Sequence, residues 1–228
     1  MPVRPLKKNY HRSVSGISFS AKNSAIVSFE STLERDFAYL QEFDLNVFCY
    51  EEQPVTIDFT DNNQFRRYTP DFLVSYRKDR ELPRHFKPAL VEVKYREDRK
   101  KNWKELKPKF LAAMRYADSQ GWKFKIMTEV EIRTEYLFNA KFLLKYRHAD
   151  HERGMMEQLL DTIRELRLSN PEELIKAATI DKNRRAELLH HLWYMIDLRI
   201  IGCDLNRKIT MKSEIWALDT IEPKFRKP

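Results

Sequence analysis

The sequence predicts an α/β protein: one mixed β-sheet flanked by helices, followed by a smaller helical domain that ends in a hairpin. Three observations carry this. Short β-branched and aromatic segments cluster between residues 47 and 95. Segments with apolar residues every three or four positions flank that cluster. After residue 149, three more helical patterns lead into an apolar segment containing Gly202.

The chain has 228 residues, 42% of them hydrophobic, which is enough for a packed core. Only 4 glycines occur, which excludes Gly-rich linkers and argues against a nucleotide-binding loop. Lys and Arg number 42 against 34 acidic residues, a net charge of +8. That balance, with many aromatics, points to a polyanionic partner, nucleic acid first; a solvated basic surface explains charge alone equally well. Cys49 and Cys203 stand far apart in apolar settings, as buried thiols in a reducing compartment would. No signal peptide is expected, and the apolar patch at residues 193–203 is broken by Asp197 and Arg199. The expectation is a cytoplasmic protein with no membrane partner.

Residues 1–27 are polar and read as an irregular N-terminal arm. From Ser28 the spacing of Phe29, Leu33, Phe37 and Leu40 predicts a helix, with Ser28 or Ser31 as its cap. Glu30 and Glu34 flank its apolar stripe, either as solvated acids or aimed into a cleft. Residues 47–50 and 55–59 read as strands, and Asp61-Asn62-Asn63 as the turn of a hairpin completed by residues 65–68. The hairpin should lead into a strand at residues 71–76 and another at 89–95, forming a mostly antiparallel meander. A basic helical stretch, stopped by Gly121, separates this from a strand at residues 122–127. The domain is expected to span residues 28–148. Residues 149–228 then show helices near 152–166, 171–178 and 184–198 and a hairpin over residues 200–210. That is the order of a winged helix-turn-helix, suited either to partner docking or to a DNA groove.

The chemistry concentrates between Tyr68 and Lys94. Asp71 opens one apolar strand, and Glu92 and Lys94 lie two apart on the next, so they share a face. If the strands pair, two carboxylates and an ammonium converge. Hard cations such as Mg²⁺ take carboxylate oxygens, and a lysine beside them can orient water or stabilise developing charge. An ordinary salt-bridged edge strand is the competing reading. Arg96, Arg99, Lys100, Lys101 and Lys104 follow, where a phosphate backbone could be held. Gln53 can orient a water or ligand, or simply shape a turn. His148 and His151, and the pair His190-His191, lack cysteine partners at zinc spacing.

Pro70-Asp71 with Glu92-Val93-Lys94 is the PD-(D/E)xK nuclease signature. Preceded by Phe29-Glu30-Ser31, Leu33-Glu34-Arg35-Asp36-Phe37, Phe43-Asp44, Glu52-Gln53-Pro54 and Thr69-Pro70-Asp71-Phe72, it resembles the TnsA family over about residues 1–145. TnsA is the endonuclease subunit of a heteromeric cut-and-paste DNA transposase. The C-terminal part resembles that family's winged-helix domain in layout and in Ile201-Gly202 with Asp204-Leu205. The resemblance implies a restriction-endonuclease-like core and cleavage of the 5′ ends of a transposon. It implies Mg²⁺, with Mn²⁺ as a substitute, and double-stranded DNA as substrate. A TnsB-like transposase and a TnsC-like AAA+ regulator, docked on the C-terminal domain, would be the partners. Glu34, Asp71 and Glu92 become metal ligands and Lys94 the catalytic lysine, with Glu30 as the competitor for the helix carboxylate. The best-known member has Gln where this chain has Glu92. A stand-alone restriction or repair nuclease and a non-catalytic DNA-binding adaptor are the alternatives.

Overall fold

The computed structural model describes residues 15–79, 83 and 86–218. Two compact units divide between Arg133 and Thr134. Among the described residues no helix is long and apolar enough to cross a membrane.

The first unit opens with β1 (Gly16–Ser20) and β2 (Ala25–Phe29), an antiparallel hairpin. The segment expected to be irregular is therefore ordered from residue 16 onward, and residues 1–14 lie outside the described residues. Alternation explains the strands. Val27 and Phe29 face the core, while Ile17, Phe19 and Ile26 stay exposed on the other side. The turn is clipped in place: Asn23 Nδ2 donates to Tyr50 O at 2.6 Å and Asn23 Oδ1 accepts Tyr50 N–H at 3.1 Å. Lys22 Nζ adds bonds to Asp44 O and Val47 O.

Helix α1 (Thr32–Phe43) starts at Ser31, whose hydroxyl accepts the Glu34 N–H at 3.1 Å. Leu33, Phe37 and Phe43 are buried on one stripe. β3 (Val47–Glu52) follows, then β4 (Ile57–Asp61) and β5 (Gln64–Tyr68). Asn62 and Asn63 have φ 49 and 60, the left-handed pair that a two-residue hairpin turn needs. The hairpin forms as expected, but it is a separate two-stranded sheet rather than part of a meander. The chain instead continues into β6 (Phe72–Tyr76), which pairs with β3, and β7 (Ala89–Val93), which pairs with β6.

The connection after β7 is helical: α2 (Arg96–Lys101) and α3 (Trp103–Ser119). α3 ends at Gly121, φ 71, where the Trp122 N–H closes onto Ala117 O at 2.8 Å. This crossover lets β8 (Lys123–Met127) pair parallel to β7. The main sheet therefore has the order β3-β6-β7-β8, antiparallel except for its last pair. β7 is buried along its whole length. Leu90 and Leu73 pack with Leu106, Phe110 and Ala113 of α3, together with Ile57 and Tyr68 of the hairpin. Phe72 faces α1, its ring 5.1 Å from that of Phe37. The unit closes with α4 (Glu129–Ile132), held by a reciprocal Thr128–Glu131 cap.

The second unit begins with α5 (Glu135–Leu143) and a 3-10 turn, Leu144–Tyr146. Residues 134–148, grouped with the first domain in the sequence analysis, belong here because of polar clips. The Asn139 amide donates to Leu205 O and Arg207 O at 2.9 and 2.7 Å and accepts the Ile209 N–H at 3.0 Å. Arg147 makes a two-pronged pair with the buried Asp197, both bonds 2.7 Å. Next come α6 (Arg153–Leu166), β9 (Leu168–Ser169), α7 (Pro171–Ala178) and α8 (Lys182–Asp197). β10 (Ile201–Cys203) and β11 (Ile215–Ala217) complete an antiparallel sheet of order β10-β11-β9. The expected hairpin thus pairs with residues 215–217 and not with 207–210, because Asn139 holds residues 205–209 as a loop. Gly202 lies opposite Trp216, where a Cβ would meet the indole Nε1 at 2.2 Å, so only glycine fits without displacing the ring.

Candidate active site

The site is built where β6 and β7 pair. Phe72 lies opposite Val91, and one step further along the same register sets Asp71 opposite Glu92. Period two then turns Glu92 and Lys94 to one side, and their side chains meet: Lys94 Nζ is 3.3 Å from Glu92 Oε1. Asp71 reaches the same strand through Oδ2, which accepts the Val93 N–H at 2.7 Å. The three residues expected to converge do converge.

Glu92 is buried, 3% exposed, and its second oxygen accepts the Tyr68 hydroxyl at 2.6 Å. Tyr68 was not singled out by sequence reasoning. Its only signal was its place two residues before Pro70 at the end of a strand. Burial, and then the charges of Glu92 and Asp71, push the Tyr68 hydroxyl far above the usual phenol range, so it stays a donor.

Electrostatics link these residues to α1. Burial, followed by the charges of Glu92 and Glu34, holds the Asp71 carboxyl well above the usual carboxylate range; Lys94 and the Val93 N–H act against this. Glu34 is raised as well, first by burial and then by Glu30, although bonds from the Glu30 N–H (2.7 Å) and the Ser31 hydroxyl (2.9 Å) favour its anion. Burial works to lower the Lys94 pKa, but Glu92, Asp71 and Glu34 outweigh it and keep the ammonium charged. Glu34 thus interacts with both Asp71 and Lys94. Glu30 is engaged elsewhere, its Oε1 accepting from Gln53 Nε2 at 3.1 Å.

Gln53 is buried and has φ 47, an unfavourable backbone conformation for a side chain of its size. Its backbone N–H donates to Asp71 O at 2.8 Å. Gln53 therefore couples Glu30 to the Asp71 backbone. Glu30, Glu34, Glu52, Gln53 and Asp71 line a small cleft with Ser28 and the two phenylalanines that follow Ser28 and Asp71. Glu52 serves the hairpin, accepting the Ser28 N–H and hydroxyl.

A second network sets α1 against the end of β7. Arg133 Nε donates to the buried Asp36 at 2.8 Å and its other arm to Thr32 Oγ1 at 2.9 Å. Its guanidinium lies 5.5 Å from the centre of the Tyr95 ring, and the Tyr95 hydroxyl meets Thr32 Oγ1 at 3.3 Å.

Arg96, Lys100, Lys101 and Lys104 are exposed and Arg99 is half-buried, on α2 and the first turn of α3 directly after Lys94. They lie outside the acidic cluster but adjoin it in the chain. Among the described residues no group of three or more His, Cys, Asp or Glu side chains is arranged to hold a metal ion as it stands. Each of these carboxylates already accepts a protein donor: Val93 N–H on Asp71 Oδ2, Tyr68 and Lys94 on Glu92, Glu30 N–H and Ser31 on Glu34.

A search of curated proteins gives no match. Residues 44–129 match the family model of the Tn7 TnsA-like endonuclease N-terminal domain. This segment contains Gln53, Tyr68, Asp71, Glu92, Lys94 and the basic residues of α2, and begins after Glu34. With the mixed sheet and its Asp71–Glu92–Lys94 cluster, the match over residues 44–129 supports a TnsA-family endonuclease.

Proposed function

We propose that the chain is the DNA endonuclease of a Tn7-like transposase, cutting the 5′ ends of a transposon beside a TnsB-like transposase under a TnsC-like AAA+ regulator. The observation that carries this reading is the Asp71–Val93 bond beside the Glu92–Lys94 pair, within the matched segment. A cytoplasmic setting agrees with the free thiols of Cys49 and Cys203.

The donor chemistry fits a hard divalent cation. Asp71, Glu92 and Glu34 supply oxygens only, and three carboxylates face a single ammonium, an excess of negative charge in a buried place. Asp71 and Glu92 would hold Mg²⁺ or Mn²⁺ through the oxygen lone pairs that their present donors leave open, with Glu34 assisting. What such an ion supplies when bound is a lower cost for forming hydroxide and for charge on the departing oxygen. Lys94, kept charged by its neighbours, orients the water that attacks phosphorus and stabilises the charge that develops on the phosphoryl oxygens. Arg96, Arg99, Lys100, Lys101 and Lys104 hold the flanking strand by its phosphates.

After α5 and its 3-10 turn, the second unit runs helix–strand–helix–helix–strand–strand, its three strands forming a sheet of order β10-β11-β9, which supports a winged-helix reading. From Leu188 to Asp197, α8 is buried or half-buried at every position, leaving its first turns to solvent. That favours partner docking over insertion of the whole helix into a groove.

Asp71→Ala and Lys94→Ala are the test, assayed on transposon-end DNA with the partner proteins and Mg²⁺. Loss of 5′-strand cutting is expected; full cutting by both variants would refute the site. Deleting residues 150–228 should abolish regulator binding.

A further inference from the structure

We propose that Tyr68 is a positioning residue for this site: its hydroxyl fixes the Glu92 carboxylate in the orientation that receives a divalent cation. The inference rests on the nuclease reading above.

Glu92 is held from two sides. Tyr68 Oη donates to Oε2 at 2.6 Å and Lys94 Nζ approaches Oε1 to 3.3 Å. A carboxylate offers about four acceptor positions, so these two partners lock its rotation and leave one lone pair free on each oxygen. A buried glutamate without such partners would swing or take up a proton. Orientation by outer partners is how ligating carboxylates are usually prepared for a metal.

The tyrosine is itself immobilised. It is 8% exposed, pairs across the hairpin with Ile57, and sets its ring edge against Phe110 of α3, centroids 6.4 Å apart. Three elements thus converge on one hydroxyl, and its bond to Glu92 places the hairpin base beside the site. Hydroxyl and ring make separable contributions: the ring fills the α3 interface and the oxygen meets Glu92.

Tyr68→Phe keeps the ring and removes the donor. Mn²⁺ binding to the full chain without DNA, followed by titration calorimetry, should weaken about tenfold, within the range for losing an outer-shell partner. Cleavage should fall at limiting Mn²⁺ and recover toward wild type at high Mn²⁺. Replacing Tyr68 with 3-fluorotyrosine keeps the hydroxyl and should bind Mn²⁺ like wild type, which controls for folding. Equal or tighter Mn²⁺ binding by Tyr68→Phe overturns the proposal, as does weak binding by the fluorotyrosine protein. Asp71→Asn, run in parallel, separates the two layers. If it binds Mn²⁺ as well as wild type does, the metal-site reading falls and this proposal with it. If it loses binding while Tyr68→Phe does not, the proposal alone falls.

Discussion

Asp71 accepts the backbone N–H of Val93 at 2.7 Å, so the acid that opens β6 is tied to the residue standing between Glu92 and Lys94. The bond draws a carboxylate toward a second carboxylate, an arrangement that costs stability until positive charge arrives.

Asp71→Asn therefore separates stability from activity. The amide oxygen can still accept the Val93 N–H, while the anion repelled by Glu92 and Glu34 is gone. The melting temperature in chelator should rise by about 2–4 °C, roughly 1 kcal/mol for a chain of this size. Cutting of transposon-end DNA should fall to background. A lowered melting temperature would show that the charge is already satisfied.

The basic residues after Lys94 are tested by salt. Replacing Lys100, Lys101 and Lys104 with Ala should flatten the dependence of log K on log salt by about 3, one unit per lost phosphate contact. Fluorescence anisotropy on an end duplex between roughly 50 and 200 mM salt measures it. An unchanged slope would place the phosphate contacts elsewhere.

Arg133 joins Asp36, Thr32 and the Tyr95 ring. Arg133→Ala removes the 2.8 Å bond to the buried Asp36, which is shorter than the 3.4 Å approach of Arg35 to the same carboxylate. Stability should drop by about 2–4 kcal/mol, read from the urea midpoint. Arg133→Lys should recover little, since one ammonium cannot serve three partners in a plane.

The second unit should weaken in mild acid. His151 stacks on Tyr194, ring centres 3.5 Å apart, with His190 and His191 beside it. Burial, then the two histidines, hold its pKa below the ordinary 6.5, against the Tyr146 carbonyl and Asp150, which favour the proton. The unfolded chain therefore takes up more proton than the folded one just below that pH. Stability present above it declines as pH falls through the window. Calorimetry at pH about 7 and about 5.5 should show the loss, and His151→Gln should reduce its slope.

Much of the core was legible because local chemistry and global packing agree there. Ser31 caps α1, the two asparagines turn β4 into β5, and the spacing of Glu92 and Lys94 needed only a strand to bring them together. The hairpin at residues 16–29 was missed because half of its apolar alternation, Ile17, Phe19 and Ile26, faces outward. Its anchors are single polar side chains, Asn23 and Lys22, whose partners lie more than twenty residues away. The same holds for Asn139, which moves residues 134–148 into the second unit through bonds near residue 207. Tyr68 was hidden for a different reason: a tyrosine ending a strand looks like core until a carboxylate is found on its oxygen.

The β4–β5 excursion leaves the main sheet and returns to it through a narrow neck. Gln53 N–H meets Asp71 O at 2.8 Å, and Thr56 and Thr69 pair their hydroxyls at 3.0 Å. The spacing of Gln53 and Asp71 is thus set at the neck and does not depend on the length of what lies beyond it. The Asn62-Asn63 tip is where the domain can accept extra residues, or an engineered reporter loop, while the acids below keep their places.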